Sequence, residues 1–295
     1  MRLISFSTSS DATPRPGLIV GEEVVDLSDA AIGLPSDMAE LLAFGPEALE
    51  RAAAVSGRAK ARHAPDDVRT HAPVPRPPNI LAIGMNYREH VAELGREAPE
   101  YQYWFNKQRT SITGPEDPIV LPTVSDMVDY EGELAMVIGR RCQHVPAARA
   151  FEVVAGFTII NDVSARDWQW RTPTFTMGKS FDTHAPCGPV LVTTDEIGDP
   201  GQLGIRTWVN DDLRQDSTTA DLIFDCAHMI EYLTAAFPLE PGTIIATGTP
   251  AGVGAGRTPP MFLAHGDVVR IAIEGIGELV NPVIDGSKPV PVGLD

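Results

Sequence analysis

The stretch "DYEGELAMVIG", Asp129 to Gly139, joins an apolar run to two carboxylates that stand just before it. Every side chain from Leu134 to Ile138 is apolar, and this run predicts a buried β-strand. Successive side chains of a strand point to opposite faces, so Glu131 and Glu133 point to the same side. Two like charges this close repel each other, and one of them would normally take a proton. The strand therefore needs a partner that offsets this repulsion.

Composition and charge limit the classes of function. The chain has 295 residues, of which 43% are hydrophobic and 21% charged, as in ordinary globular enzymes. The net charge of −17 argues against nucleic acid and against an anionic membrane surface as partners. No apolar stretch is long enough for a membrane span, and no signal peptide is recognised at the start. The three cysteines fit neither a disulfide framework nor a thiolate zinc site, so we expect a cytoplasmic protein.

The predicted elements indicate two domains. Residues 1–75 hold short strand candidates, a helix over 36–57 with Ser36 as its N-cap, and a Pro-rich linker near 72–79. We expect a small N-terminal α/β domain there. Residues 76–295 hold many short strand candidates and two helices, "YREHVAELG" and "TADLIFDCAHMIEYLTAAF". This balance predicts an α+β, mainly β, domain and not a doubly wound parallel sheet.

A third carboxylate lies at the end of another strand candidate. Asp162 closes the apolar run "TIIND", and Lys179 follows in "MGKSFDT". Three carboxylates without a His or Cys cluster form an oxygen-only site, which suits Mg²⁺, Mn²⁺ or Ca²⁺. Such a cation would offset the repulsion between Glu131 and Glu133. The alternative is that the glutamates lie on a solvated strand face, because sequence alone does not show that the three carboxylates meet.

A histidine and a glutamate share one face of a short helix. His90 and Glu93 stand three residues apart in "NYREHVAEL", and such residues are neighbours on a helix. A His with a carboxylate partner is a common general base for the activation of water. Gly95 and a polar stretch follow, which would allow the helix to act as a mobile lid. The alternative is an incidental pair on a surface helix.

Other polar residues are candidates for substrate contacts. Arg166 and Gln169 lie on one local face in "SARDWQ", and both side chains can stabilise an oxyanion. Lys107 belongs to a local positive pair with Arg109. Thr249 lies in a Gly-rich stretch, "TGTPAGVGAG" from Thr247 to Gly256, that can bring backbone amides and the Thr249 hydroxyl to a small anion. Nucleotide binding is excluded here, because "RTPPMF" follows the loop and breaks the helix that a dinucleotide fingerprint requires. The alternative for all of these side chains is solvated surface.

The motifs, taken in order, resemble the fumarylacetoacetate hydrolase superfamily over roughly residues 79–283. Each motif is weak by itself, and the ordered set is specific. The chain is most similar to fumarylacetoacetate hydrolase domain-containing proteins and to bacterial diene-dioate isomerases. The motifs are "GMNYREHVAE", "DYEGELAMVIG", "GFTIINDVSARDWQ", "GKSFDTHAPCGP", "PGTIIATGTPAGVG" and "LAHGDVVRIAIEGIGEL".

This resemblance implies a rolled mixed β-sheet core, a homodimer and a set of site residues. The metal, Mg²⁺ or Mn²⁺, would be held by Glu131, Glu133 and Asp162. His90 and Glu93 would form the water-activating pair on the lid. Lys179 would lie beside the metal as a catalytic residue, and we expect the cation to depress its pKa. Substrate contacts are assigned to Arg166, Gln169, Thr249 and Lys107.

The implied reaction is metal-dependent hydrolysis of a C–C bond in a 2,4-dioxo acid, such as an acylpyruvate or fumarylpyruvate, through an enolate that the metal stabilises. Three alternatives use the same site: oxaloacetate decarboxylation, keto–enol tautomerisation, and isomerisation of 2-hydroxyhepta-2,4-diene-1,7-dioate. The presence of both His90 and Glu93 places the hydrolase first. An alternative from a different class is a non-enzymatic binding protein with a structural metal. It is less favoured, because a structural metal site would not need His90, Glu93 and Lys179 near the ion.

Overall fold

The computed structural model describes residues 1–29 and 33–287, and the last residues of the predicted 76–295 domain lie outside these ranges. The strands are β1 Arg2–Thr8, β2 Asp11–Val20, β3 Glu23–Asp26, β4 Arg62–His63, β5 Val68–His71, β6 Ile80–Gly84, β7 Tyr103–Lys107, β8 Ile112–Thr113, β9 Ile119–Leu121, β10 Val128–Asp129, β11 Gly132–Ile138, β12 Val154–Asn161, β13 Ser164–Ala165, β14 Ala185–Thr193, β15 Gly204–Val209, β16 Asp212–Thr218, β17 Ile244–Ala246, β18 Val268–Ile273 and β19 Gly277–Asp285. The α-helices are α1 Met38–Ala43, α2 Pro46–Val55, α3 Arg88–Glu93, α4 Arg166–Gln169, α5 Thr194–Ile197 and α6 Cys226–Ala236.

The strands form a large mixed sheet and two smaller sheets. The large sheet runs β4-β3-β2-β1-β14-β12-β11-β17-β6-β7, with β5 paired to β1 and β8 paired to β14. A second sheet runs β16-β15-β18-β19-β9, and β10 pairs with β13. The mainly β, mixed-sheet architecture predicted from the sequence is confirmed. None of the described helices has the length and apolar character that a membrane span requires.

The N-terminal strands continue the large sheet. Strand β1 pairs with β14 in antiparallel register, with Leu3 opposite Leu191. The division into domains at residues 75 and 76 stays a prediction, and the described sheet crosses that boundary.

The N-terminal helix differs from its prediction in two ways. It is split into α1 and α2, because Gly45 adopts a φ of 72° and Pro46 then begins a new helix. Glycine tolerates this left-handed conformation, and proline fits the first turn of a helix. The N-cap is Asp37 and not Ser36, since the Asp37 carboxylate accepts hydrogen bonds from the first-turn amides of Ala39 and Glu40.

The other two predicted helices are present with shorter bounds. Helix α3 lies inside "YREHVAELG" and ends at Glu93. Helix α6 begins at Cys226, after an N-cap by Asp225, and the residues before it form a single 3₁₀ turn over Thr219–Asp221. Asp225 begins the helix because its side chain accepts from the His228 amide.

Strand β11 is buried along its whole length, as predicted. Leu134 and Met136 pack in one hydrophobic core, and Ala135 and Val137 pack in a second core on the opposite face. A strand with apolar contacts on both faces belongs in the middle of a sheet, and β11 lies between β12 and β17. This central position fixes where the carboxylates at its start are placed.

Two strand pairings bring the candidate residues together. The antiparallel register of β11 and β12 sets Gly132 opposite Asn161, so the next residues, Glu131 and Asp162, also meet, and the Asp162 amide donates to the Glu131 carbonyl at 2.8 Å. Strands β6 and β17 are parallel, so their carboxyl ends lie at the same edge. The segment that leads into α3 therefore meets the loop that begins at Thr247, and the Asn86 side chain donates to the Thr247 carbonyl.

Candidate active site and metal centre

The carboxylate cluster consists of Glu131, Glu133 and Asp162. One oxygen from each residue lies within 4.8 Å of the others, and all three residues are buried. Glu131 and Glu133 share a side because they are two apart on an extended chain, and Asp162 reaches them from the neighbouring strand. The sequence predicted this set, and the structure brings all three carboxylates together.

Three buried cations surround the cluster. Lys179 Nζ donates to Glu131 Oε2 at 2.7 Å and to Asp162 Oδ2 at 2.8 Å. Lys107 Nζ donates to Asp162 Oδ1 at 2.5 Å and to the Val163 carbonyl. Arg166 Nη1 lies 2.6 Å from Glu131 Oε1. Glu131 and Asp162 therefore have a cationic partner on each carboxylate oxygen.

Glu133 differs from its two neighbours in charge balance. Its Oε2 accepts a hydrogen bond from the Gly248 amide at 2.7 Å, and no ion pair to it is found in the described part of the chain. Burial and the charges of Asp162 and Glu131 raise the pKa of Glu133 well above its ordinary value. Burial alone would also raise the pKa of Glu131, but the charges of Lys179 and Arg166 outweigh it and lower that pKa. Without a further cation, Glu133 is thus more readily protonated than Glu131.

The donor set fits a divalent cation of the Mg²⁺ or Mn²⁺ type. Its three oxygen ligands are buried and mutually close, and oxygen ligands are those that such hard cations prefer. Four carboxylates, with Asp129 included, face the three cations Lys107, Lys179 and Arg166, which leaves a formal charge of −1. A divalent ion would make the formal charge +1, which favours an anionic ligand.

The two lysines have opposite pKa shifts. Burial lowers the pKa of Lys179, but the charges of Asp162 and Glu131 outweigh this, so its pKa is raised. From the sequence, we expected an adjacent metal cation to depress the pKa of Lys179; in this structure the carboxylates of Asp162 and Glu131 dominate, and the shift has the opposite sign. Burial lowers the pKa of Lys107, and the attraction of Asp162 does not fully compensate.

Lys107 does not have the position predicted for a substrate contact. Its side chain is fully buried, both of its hydrogen bonds go to Asp162 and Val163, and it does not line the cavity at the cluster. Strand β7 ends at Lys107, and the Lys107 ammonium group contacts Asp162 at a position that does not line the cavity. The side chain is placed to hold Asp162, and the predicted contact with substrate is corrected accordingly.

His90 and Glu93 form the predicted pair. His90 Nδ1 lies 3.1 Å from Glu93 Oε2, and His90 lines the same cavity as Glu131. Burial raises the pKa of Glu93, but hydrogen bonds from His90 and from the Gly252 amide outweigh it, so this pKa is lowered. The contact with Gly252, at 2.9 Å, joins α3 to the Gly-rich loop, which we define as residues 252–256. This connection was not predicted.

Asp129 fastens the Gly-rich loop to the cluster and was also missed. Its carboxylate is fully buried and accepts hydrogen bonds from the amides of Gly254 and Ala255 at 2.7 and 2.9 Å. The same carboxylate accepts from Arg166 Nε at 2.8 Å, and Arg166 in turn holds Glu131. The acidic residue two before Glu131 was a usable signal, since it points to the same side of an extended chain.

Arg166, Gln169 and Thr249 all line the cavity, and their contact with substrate stays a prediction; Arg166 and Thr249 are largely engaged within the chain. Arg166 binds Asp129, Glu131 and the Gln169 side-chain oxygen. The Thr249 hydroxyl donates to the Gly132 carbonyl and accepts from Gln215. Gln215, on β16, was not predicted; its side-chain oxygen also accepts from the Gly132 amide and so fixes the start of β11.

The cavity above the cluster has a volume of about 370 Å³. Its polar end is formed by the cluster glutamates with Lys179, His90 lines it from α3, and its walls carry apolar and aromatic side chains. The wall residues include Ile83, Leu94, Tyr103, Phe105, Trp170, Phe175 and Val253. A larger cavity of about 460 Å³, near Met1 and Phe151, contains none of the predicted site residues. The chemistry therefore belongs to the cavity at the cluster.

Comparison with known proteins finds relatives that match most of this chain. The family model described as fumarylacetoacetate (FAA) hydrolase C-terminal matches residues 79–284. The chain is 41% identical to the oxaloacetate tautomerase fahd2, mitochondrial, of Xenopus laevis, over 96% of this chain and 90% of that protein. It is also 41% identical to the oxaloacetate tautomerase YisK of Bacillus subtilis, over 90% of this chain and 95% of that protein.

A solved structure shows the same fold. The maleylpyruvate hydrolase of Sphingobium sp. SYK-6, in complex with manganese(II) ion and pyruvate, superposes with a TM-score of 0.81 at 33% identity. The match covers 97% of this chain and all of that one. Together with the family match over most of the chain and the full-length relatives, this shows that the chain belongs to the fumarylacetoacetate hydrolase family.

Proposed function

We propose that this protein is a divalent-metal-dependent enzyme that interconverts the keto and enol forms of a 2-oxo acid, with oxaloacetate as the first candidate substrate. The observation that carries the proposal is the placement of the carboxylate cluster, Lys179 and His90 around one cavity. The full-length similarity to oxaloacetate tautomerases supports it. Among the alternatives considered from the sequence, tautomerisation thus moves ahead of C–C hydrolysis.

The reaction moves one proton between C3 of the 2-oxo acid and the oxygen on C2, and no C–C bond breaks. A divalent cation held by Glu131, Glu133 and Asp162 would supply a Lewis acid for the carboxylate and keto oxygens of such a substrate. Lys179, whose pKa is raised by the neighbouring carboxylates, keeps its positive charge near the C2 oxygen. That charge stabilises the negative charge that develops when C3 loses its proton.

His90 is the proposed proton carrier. Its Nδ1 faces the Glu93 carboxylate, which is only an acceptor when ionised, so this pairing assigns the ring proton to Nδ1. Nε2 is then the basic nitrogen that accepts the proton from C3 and delivers it to the C2 oxygen, and in the reverse direction it carries the proton from that oxygen back to C3. The buried setting of His90 limits the access of water to this transfer.

Hydrolysis of a 2,4-dioxo acid is the second candidate. One observation favours it: the His90–Glu93 pair could equally activate a water molecule, and the similar Sphingobium structure is that of a maleylpyruvate hydrolase. The cytoplasmic location and the homodimer stay predictions.

A substrate panel tests the proposal. Metal-free protein would be assayed with and without Mg²⁺ or Mn²⁺ on freshly dissolved enol-oxaloacetate, acetylpyruvate and fumarylpyruvate. Enol loss would be followed by ultraviolet absorbance and products by NMR. We expect metal-dependent acceleration of enol–keto exchange without cleavage. Metal-dependent cleavage of an acylpyruvate with unchanged exchange would establish the hydrolase instead, and pyruvate with CO₂ from oxaloacetate would establish the decarboxylase.

A further inference from the structure

The cavity has a second cationic feature away from the cluster. Three Arg or Lys side chains line it among the described residues: Arg96, Arg166 and Lys179. Arg166 is paired with Asp129 and Lys179 with Asp162, both at 2.8 Å. Arg96 makes no ion pair in the described part of the chain, and its side chain donates a hydrogen bond to the Met85 sulfur, at 3.7 Å. It is thus the lining cation that has no anionic partner of its own.

The backbone of Arg96 is fixed by the end of α3. The Arg96 amide donates to the Val91 carbonyl at 3.0 Å, and the Gly95 amide donates to the Ala92 carbonyl at 2.9 Å. Gly95 adopts a φ of 64°, so these two bonds form a Schellman motif. The motif turns the chain back at this point, and Arg96 reaches the cavity from the same helix that carries His90.

The cavity has an apolar wall, and Arg96 is exposed whereas the cluster glutamates that also line the cavity are buried, which places Arg96 toward solvent. Leu94, Phe105 and Phe175 belong to that wall. The volume of about 370 Å³ lies in the range of roughly 300–1,000 Å³ in which pockets hold drug-sized ligands. It can therefore accommodate a chain longer than the four carbons of oxaloacetate. A ligand that matches this layout has a 2-oxo acid at one end, an apolar middle and an anionic group at the other end.

We propose that Arg96 binds a second carboxylate, distal to the 2-oxo acid group, and so selects dicarboxylic over monocarboxylic 2-oxo acids. This inference rests on the proposed function, since it takes the 2-oxo acid end to lie at the cluster. A guanidinium group suits the role because it presents two parallel donors to a carboxylate. Because the chain has a net charge of −17, the protein as a whole repels a dianion. The unpaired Arg96 guanidinium at the cavity would offset this repulsion and favour the binding of a dianionic ligand.

A matched ligand pair tests the assignment. 2-Oxoadipate and 2-oxohexanoate have the same chain length and differ at the far end, where one has a carboxylate and the other a methyl group. Their binding to Mn²⁺-loaded protein would be measured by calorimetry, with pyruvate as a short reference. The variants are Arg96→Ala, Arg96→Lys and the control Arg109→Ala, whose arginine is also exposed and without an ion pair among the described residues.

The expected result is that wild type binds 2-oxoadipate about tenfold more tightly than 2-oxohexanoate, as one partly exposed charged hydrogen-bonded pair would provide. Arg96→Ala should abolish this preference, Arg96→Lys should keep part of it, and Arg109→Ala should keep all of it. The preference should also narrow at high salt.

Two results would overturn the assignment. Equal binding of the two six-carbon acids by wild type, or a preference that survives Arg96→Ala, would show that Arg96 does not bind the distal carboxylate. If pyruvate still bound in a Mn²⁺-dependent way, the proposed function would stand. Absence of Mn²⁺-dependent binding of every 2-oxo acid would overturn the proposed function together with this inference.

Discussion

The two ends of the cavity are built by different means. At the inner end, the carboxylate cluster is held by the register of two central strands and by buried ion pairs to Asp162 and Glu131. At the outer end, α3 and the Gly-rich loop are connected through the Glu93 carboxylate, which is partly exposed. The inner end is suited to fixed chemistry, whereas the outer end is suited to adjustment around a substrate.

The largest expected effect comes from the inner end. Asp162→Asn removes a charge that Lys107 and Lys179 both contact, and leaves two cations facing a weaker acceptor. We expect this variant to lose divalent-metal binding and metal-dependent turnover. Calorimetric titration with Mn²⁺ and the enol–keto assay would measure both.

The exposed residue Asp66 provides a control, since Asp66→Asn changes the same group outside the site. Circular dichroism would show whether Asp162→Asn is still folded. A folded Asp162→Asn protein that binds Mn²⁺ as wild type does would contradict the assignment of the cluster as the metal centre.

At the outer end, His90→Ala should separate turnover from metal binding. His90 contacts Glu93 and lines the cavity, and it is not a member of the carboxylate cluster. We expect unchanged Mn²⁺ affinity and a fall in kcat of roughly 10²-fold or more, which is typical for the loss of a general base. Normal kcat in this variant would require another residue to carry the proton.

Glu93→Gln should have a smaller effect on the same end. The change weakens one charged hydrogen bond to His90 and one to the Gly252 amide, each worth about 1.5–3 kcal/mol where the partner is charged. We expect kcat to fall about 10- to 100-fold, since each 1.4 kcal/mol is a factor of ten. Glu89→Gln, on the same helix but exposed, is the matched control and should be neutral.

The smallest expected change is in the pH dependence of metal affinity. The pKa of Glu133 is raised well above its ordinary value, and below that raised pKa the carboxyl holds a proton that must leave when a cation binds. Affinity should therefore rise with pH, by up to tenfold per unit, until the pH exceeds the raised pKa. Calorimetry in buffers of different ionisation enthalpy would count the released proton, and pH-independent binding without proton release would contradict this account.

The sequence was most informative where local pattern decides structure. The apolar run from Leu134 to Ile138 identified β11, the two-residue period of a strand placed Glu131 and Glu133 on one side, and the position of Asp162 at a strand end suggested the third ligand. The cross-strand register that joins them depends on contacts distant in sequence, and local pattern does not contain it. The Gln215 contact with Gly132, which comes from another sheet, was beyond reach for the same reason.

The hydrogen-bond partners of individual side chains were the least predictable feature. Lys107 was predicted to contact substrate because it lies in a positive pair, yet its ammonium group binds Asp162 and does not line the cavity. Asp129 was read only as the start of the strand, although it holds both Arg166 and the Gly-rich loop. Likewise, Ser36 and Asp37 are both good N-caps by type, and only the backbone geometry selects Asp37.

The most direct test of the central claim is one titration of metal-free protein with Mn²⁺, in which binding and oxaloacetate enol–keto exchange are followed together. The account predicts that EDTA-treated protein is folded and inactive, and that activity returns in proportion to the binding of one Mn²⁺ per chain at the carboxylate cluster. The Asp162→Asn variant should neither bind Mn²⁺ at the carboxylate cluster nor regain enol–keto activity. Full enol–keto activity in EDTA, or Mn²⁺ binding that restores no exchange, would contradict it.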